Sequence, residues 1–194
     1  MYNRAQIFRD VYQGGLWGSN ESASGNGSEM EMTTAIRASL PALFHDYEIK
    51  SLLDAPCGDF NWMKTVALPT YIGMDIVPEL IASNLNQYPG IDFRVGDIIL
   101  DTLPTVDMVL CRDGLNHLSF DDVMKAIQNF RRSAKYLALT TYPHCTDIWD
   151  IEADLPPYGW RPINLELPPF SLGHPLRTIV EGSEPLKCLG VWAA

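Results

Sequence analysis

Residues 52–63, LLDAPCGDFNWM, decide how this chain is organised. The stretch begins as a buried strand, with Leu52, Leu53 and Asp54, and breaks at Pro56 and Gly58 just before a segment able to start a helix. A glycine there lets backbone approach a ligand closely, and the start of a helix leaves N–H groups without intrahelical partners. The strand therefore delivers a carboxylate and free donors to one edge of a sheet.

Outward from this stretch the same unit repeats. Short runs rich in valine, isoleucine, leucine and tyrosine occupy 51–55, 70–76, 91–95, 106–111 and 135–142, as strands buried on both faces do. Helical spacing is expected at 60–67, 78–87 and 119–133, the last announced by Ser119 as N-cap ahead of FDDVMKAIQNF. Only ILDTLPT separates the third strand from the fourth, so a helix there is abbreviated or lost. Strand and helix in alternation predict a parallel sheet with right-handed crossovers and helices on both faces. Near the end, LRTIVEGSEPLKCLGVWAA reads as two more strands around a turn holding Gly182 and Pro185. The expected fold is α/β: a Rossmann-like, doubly wound, seven-stranded and mostly parallel sheet with an antiparallel C-terminal hairpin.

Ahead of the sheet, Ile7, Phe8, Val11 and Tyr12 share one helical face. GGLWGSNESASGNGS (14–28) then reads as a loop, mobile when nothing is bound. A second helix follows, with Met32, Ile36, Leu40 and Leu43 or Phe44 on its apolar face and Pro41 as a kink site. Residues 143–170, with six prolines and two tryptophans, form a long excursion of the kind that lies over a site.

Composition narrows the partners. A chain of 194 residues with 46% apolar content suits one domain with a real core. A formal charge of −10 with no basic cluster repels phosphate backbones, which argues against nucleic acid. Cys57, Cys111, Cys145 and Cys188 are scattered, with neither a disulfide-scaffold pattern nor metal-ligand spacing, so no metal is expected. No apolar run approaches the ~20 residues that cross a bilayer, and the N-terminus lacks the apolar core of a signal peptide. A soluble, cytoplasmic protein with no membrane partner is expected.

In an open parallel sheet, ligands bind beyond the carboxyl ends of the strands. The first strand ends on Asp54; the second ends on Asp75, 21 residues later, a spacing that suits a carboxylate gripping a ribose diol. The third ends in VGDII, with Asp97 and the Ile98 amide at the rim, the fourth in CRDGLNH and the fifth in TTYPH. Consecutive strands bring acids or polar clusters to one edge, which reads as the wall of a nucleoside pocket.

LLDAPCGDF, YIGMDI, FRVGDI and DMVLCRDGLNHL, in this order, resemble the successive motifs of class I S-adenosylmethionine-dependent methyltransferases, over roughly residues 50–142. The resemblance implies that Asp54 and Gly58, with Pro56 between them, flank the methionine part of S-adenosylmethionine. Asp75, followed by Ile76, would hold the ribose hydroxyls, and Asp97 with the Ile98 amide would read the adenine edge. Cys111, Arg112 and Asp113 would lie under the methionine amino group. Many members of the family have three glycines in the first loop. Here Pro56, Gly58 and Phe60 stand in their places, with Phe60 expected to narrow the space. The missing glycines also disfavour a dinucleotide pyrophosphate.

On this reading one domain spans 1–194: helices and flap to 48, a cofactor-binding core at 49–142, a substrate-side excursion at 143–170 and the hairpin at 171–194. The flap would close over the methionine end, with Trp17 as its apolar contact and Arg37 as a carboxylate partner. His117, His144 and Asp113 stand as three open candidates for proton transfer or acceptor orientation, each with a structural reading as a carbonyl-bonded histidine or a turn cap. LPPF (167–170) resembles the signature of amino-methylating DNA enzymes but lies far beyond the fourth strand and lacks the asparagine. A small-molecule acceptor is expected. The rival is a non-catalytic domain that keeps the fold and the cofactor or a partner.

Overall fold

A computed structural model describes residues 3–146, 159–183 and 186–194. Seven strands form one sheet: β1 (Ser51–Asp54), β2 (Thr70–Asp75), β3 (Asp92–Val95), β4 (Val106–Cys111), β5 (Ala134–Thr141), β6 (Arg177–Ser183) and β7 (Leu186–Ala193). Their order is β3-β2-β1-β4-β5-β7-β6, parallel from β3 to β5, with β7 antiparallel to both β5 and β6. The chain order reverses between β1 and β4. That pair, with Asp54 opposite Leu110, opens the crevice in which such sheets bind ligands.

Alternation along the strands explains why their sequences are apolar throughout. Leu52 of β1, Met108 and Leu110 of β4 and Ala138 of β5 face one core, with α2 (Thr34–Asp46) and α3 (Pro78–Gln87) over it. Leu53, Val109, Cys111, Leu137 and Leu139 face the other, covered by α4 (Phe120–Ser133). Helix α4 buries Val123, Ala126, Ile127 and Phe130 at three- and four-residue spacing, and Ser119 caps it by accepting from the Asp122 amide at 3.2 Å. Truncating a fully buried ring such as Phe130 to alanine costs about 3–5 kcal/mol. Helix α1 (Arg4–Gly14) is capped by Asn3 and ends at Gly15, whose φ of 57° is the left-handed conformation glycine tolerates.

Three expectations change. The helix expected at 60–67 is a single 3₁₀ turn, Met63–Thr65. Phe60 has φ 59°, which interrupts a right-handed helix, and its ring joins Tyr71, Tyr88 and Phe93 at centroid distances of 5.2, 5.1 and 5.2 Å. Burying that ring outweighs continuing a short helix that Pro69 would soon end. Met32 lies before α2, 55% exposed, instead of on its apolar face. Gly182 lies within β6, at a shift in register after Val180, while Pro185 falls outside the described residues, as do Trp149 and most of the 143–158 stretch. Among the described residues no helix is long and apolar enough to cross a membrane.

Candidate functional site

Two adjoining clefts lie over the crevice between β1 and β4, one of about 370 Å³ and a narrower one of about 80 Å³. Both are lined by Pro56, Asp75, Asp113 and His117, and both are roofed by Phe8 of α1 and by Trp17. The larger adds Asp54, Gly58, Arg112 and Tyr142; the narrower adds Met74, Ile76, Asp97 and Ile98.

Each acid is held by its own strand end. Asp54, 2% exposed, accepts from the Tyr71 hydroxyl at 2.8 Å. Asp75 Oδ2 accepts from the Gly58 amide at 3.2 Å and its Oδ1 from the Val77 amide at 3.1 Å, so it ties the first loop to the start of α3 while lining both clefts. Burial pushes Asp54 up to about 7, the Tyr71 hydrogen bond opposing, and Asp75 up to about 6, backbone N–H donors opposing. Two carboxylates this desolvated are poised for a cation that would repay their lost hydration. Asp97 accepts from the Ile99 amide at 2.8 Å and closes one end of an apolar slot formed by Met74, Ile76, Ile98 and Leu118.

Gly58 has φ 54°, and a Cβ there would collide with Ser24 Oγ. The N-terminal loop is thus seated directly on the first strand's turn. Asp59 holds it there: its carboxylate accepts from the Ser22 hydroxyl at 2.9 Å and the Ala23 amide at 2.8 Å, and its own amide donates to Ser24 Oγ at 3.0 Å. Asn61 adds Nδ2 bonds to Glu21 Oε1 and the Ser28 carbonyl. On the other side Gly114 lacks the Cβ that would strike Pro56, so the β1 and β4 loops meet.

The far end of the larger cleft is ionic. Arg112 and Glu181 meet at 2.7 Å with both side chains under 5% exposed, and Arg112 also reaches Asp113 at 3.3 Å and lies over the Trp62 ring. Lys187 pairs with Asp113 and stands 3.7 Å from Glu181. Burial works to raise the Asp113 carboxyl, but Arg112 and Lys187 outweigh it and hold it below the usual range. Asp113 has φ 54°, with its amide bonded to Thr140 Oγ1. His117 Nδ1 lies 2.8 Å from the Gly159 carbonyl, its ring leans against Trp17 at a tilt of 41° with centroids 5.4 Å apart, and burial pushes its pKa down.

Of the sequence-predicted residues, Asp54, Pro56, Gly58, Asp75, Ile76, Asp97, Ile98, Arg112, Asp113, His117 and Trp17 line the clefts. Three do not. Cys111 points into the core on the α4 side, because alternation along β4 turns it away from the edge. Arg37 is spent on the start of its own helix, with Nη2 on the Met30 carbonyl at 2.7 Å and Nε on Thr33 Oγ1. His144 is exposed beyond β5 and lines neither cleft. Phe60, turned into the aromatic cluster, narrows nothing.

Asp59, Tyr142, Glu181 and Lys187 are additions. Asp59 stands in the turn after the first strand, but its serine partners lie 35 and 37 residues earlier, so only the tertiary structure pairs them. Lys187 and Glu181 flank the hairpin turn, and only the antiparallel pairing of Cys188 with Thr141 brings that turn to the carboxyl edge.

Residues 53–136 match the profile described as a methyltransferase domain. No curated protein matches the sequence. Among solved structures, a magnesium protoporphyrin IX methyltransferase from Synechocystis PCC 6803 with bound S-adenosylmethionine superposes with a TM-score of 0.62 at 14% identity, over 98% of this chain and 96% of that one. CalS10, an amino pentose methyltransferase from Micromonospora echinaspora, gives 0.50 at 21% identity over 58% of this chain, which spans only 51% of its length. Phosphoethanolamine N-methyltransferase 1 of Haemonchus contortus gives 0.58 at 15% over 81% and 38%. Residues 53–136, under half of the chain, are thus similar to a methyltransferase domain, and the seven-stranded sheet has the fold of solved S-adenosylmethionine-dependent methyltransferases. The Synechocystis and Micromonospora structures hold S-adenosylmethionine.

Proposed function

We propose that this protein transfers a methyl group from S-adenosylmethionine to a small-molecule acceptor. The observation that carries this reading is the placement of Asp54, Asp75 and Asp97, from three successive strand ends, around two adjoining clefts roofed by aromatic side chains. The residues fit the cofactor. Asp97 and the Ile98 amide suit the adenine edge at the end of an apolar slot, Asp75 faces both clefts where the ribose would lie, and the desolvated Asp54 and Asp75 favour a cation. Solved neighbours that methylate an amino pentose or magnesium protoporphyrin IX support a small acceptor.

The bound cofactor supplies an electrophilic methyl on a sulfonium. The chain's own work is positioning: the docked loop at 22–28 and the Trp17 roof exclude water, and Tyr142, Trp160 and His117 bound the space left for an acceptor. Holding acceptor and methyl at near-attack distance can supply about 7–11 kcal/mol in the best cases. His117 is the proposed base. Donation from Nδ1–H to the Gly159 carbonyl leaves the Nε2 lone pair free, and the lowered pKa keeps the ring neutral near pH 7. Asp113, fixed between Arg112 and Lys187, orients the acceptor.

Titration calorimetry with S-adenosylmethionine and S-adenosylhomocysteine tests the cofactor site: micromolar binding by the native chain and at least about tenfold weaker binding by Asp75→Ala are expected. Unchanged affinity in the variant removes the ribose assignment. A radiolabelled methyl-transfer screen across acceptor classes then tests turnover, with His117→Gln expected to lower kcat by a larger factor than it weakens cofactor binding.

A further inference from the structure

We infer that Arg4, on the first helix, is the residue that positions Asp97 to select a 6-amino purine; the inference rests on the cofactor reading above. Arg4 Nη2 donates to Asp97 Oδ2 at 3.0 Å and Nη1 to Asp122 Oδ2 at 2.9 Å, with all three side chains under a fifth exposed. One guanidinium therefore links α1, the end of β3 and the first turn of α4 across 93 and 118 positions of sequence. Arg4 itself lines the narrow slot, together with Asp97 and Ile98.

The geometry fixes what Asp97 can offer. Its Oδ1 accepts from the Ile99 amide and its Oδ2 from Arg4, so the carboxylate cannot rotate without breaking both bonds. Each carboxylate oxygen has two acceptor directions, which leaves one on each for a ligand. Acceptors held this way suit the exocyclic amine of adenine and repel the carbonyl that hypoxanthine carries in the same place. Arg4 Nε is buried with no partner. That atom has no accessible surface, so the guanidinium meets its surroundings through the two Nη atoms that hold Asp97 and Asp122. Arg4 cannot lose its proton, and its fork engages two carboxylates at once, which a lysine does only in part.

The same bridge seats the roof. Within α1 only Val11 is fully buried, and its Arg9–Glu79 ion pair is exposed. Arg4 adds a polar tie to the packing of Phe8, Val11 and Tyr12 that holds this helix, and Phe8 with it, over both clefts.

The test compares two ligands on three proteins: S-adenosylhomocysteine and its 6-oxo counterpart, S-inosylhomocysteine, on the native chain, Arg4→Gln and Arg4→Lys, by calorimetry, with circular dichroism to verify folding. The native chain is expected to prefer the 6-amino ligand by at least about tenfold, Arg4→Gln to lose about tenfold of that ratio, and Arg4→Lys to retain part of it. A purely structural role would weaken both ligands equally. An equal loss, or an unchanged ratio, overturns the inference and leaves the cofactor reading standing; a native chain that binds neither ligand overturns both.

Discussion

The Tyr71 hydroxyl donates to Asp54 Oδ2 at 2.8 Å inside the core, so the acid at the end of the first strand is held by the second residue of the strand beside it. This bond is the chief force opposing the burial that raises the Asp54 pKa. Tyr71→Phe keeps the ring packed against Phe60 and Phe93 while removing the donor. Expected are a stability loss of about 1–3 kcal/mol in urea unfolding and a further rise in the Asp54 pKa, read as weaker cofactor binding at pH 7 that recovers at higher pH.

The pH dependence of the free protein follows from the same acids. Asp54 and Asp75 have folded pKa values of about 7 and about 6, raised from the ordinary 3.8 first of all by burial. The folded state then binds more protons than the unfolded one between about pH 4 and 7, so their contribution is greatest in acid and is lost as pH rises through that window. Asp107, lowered to about 2 chiefly by its Lys135 bond, and Asp113 act oppositely, stabilising above the ordinary value and failing as pH falls. Thermal melts of the free protein should give a lower Tm at pH 8 than at pH 5.5. The rise in Tm with S-adenosylmethionine should grow over the same range, because the ionised pair meets a cation.

The seating of the N-terminal loop depends on two neighbouring residues. Gly58→Ala forces a side chain into a left-handed conformation, costing about 1–2 kcal/mol, and drives Ser24 away. Asp59→Ala leaves the backbone alone, with its amide bond to Ser24 Oγ, and cuts the carboxylate's bonds to Ser22, Ala23 and Ser24. Limited proteolysis should cleave within 15–30 faster in both. Only Gly58→Ala should show the additional fall in global stability.

Arg112 neutralises a carboxylate that the fold has removed from water. Arg112→Met leaves Glu181 buried, with Lys187 3.7 Å away as its remaining cation, and should cost about 3–5 kcal/mol in chemical unfolding. Adding Glu181→Gln should restore part of that loss. If the double variant is as unstable as the single one, the ion pair is not the cause.

Much of the fold was legible because burial on both faces makes each central strand apolar throughout, and Leu52 and Leu53, turned to opposite cores, show why no polar alternation appears. Asp54, Asp75 and Asp97 were legible for a related reason: a strand leaving the core must end on residues that tolerate an edge. The helix expected at 60–67 was not, since the left-handed Phe60 is decided by Tyr71, Tyr88 and Phe93, all distant in sequence. Arg37 and His144 suited the chemistry expected of them, but Arg37 found nearer partners at Met30 and Thr33 and His144 emerged into solvent.

Local pattern, in which period and punctuation follow from short-range sterics and hydrophobic burial, determined the alternation of strands and helices and the acids at the strand ends. Only the tertiary structure decided which distant groups share that edge: Arg4 with Asp97, Ser24 with Gly58, and Glu181 and Lys187 with Arg112 and Asp113. Such pairings depend on register, crossover and the direction of the last two strands, and the free energy that selects them is summed over the whole core, so no window of sequence contains it.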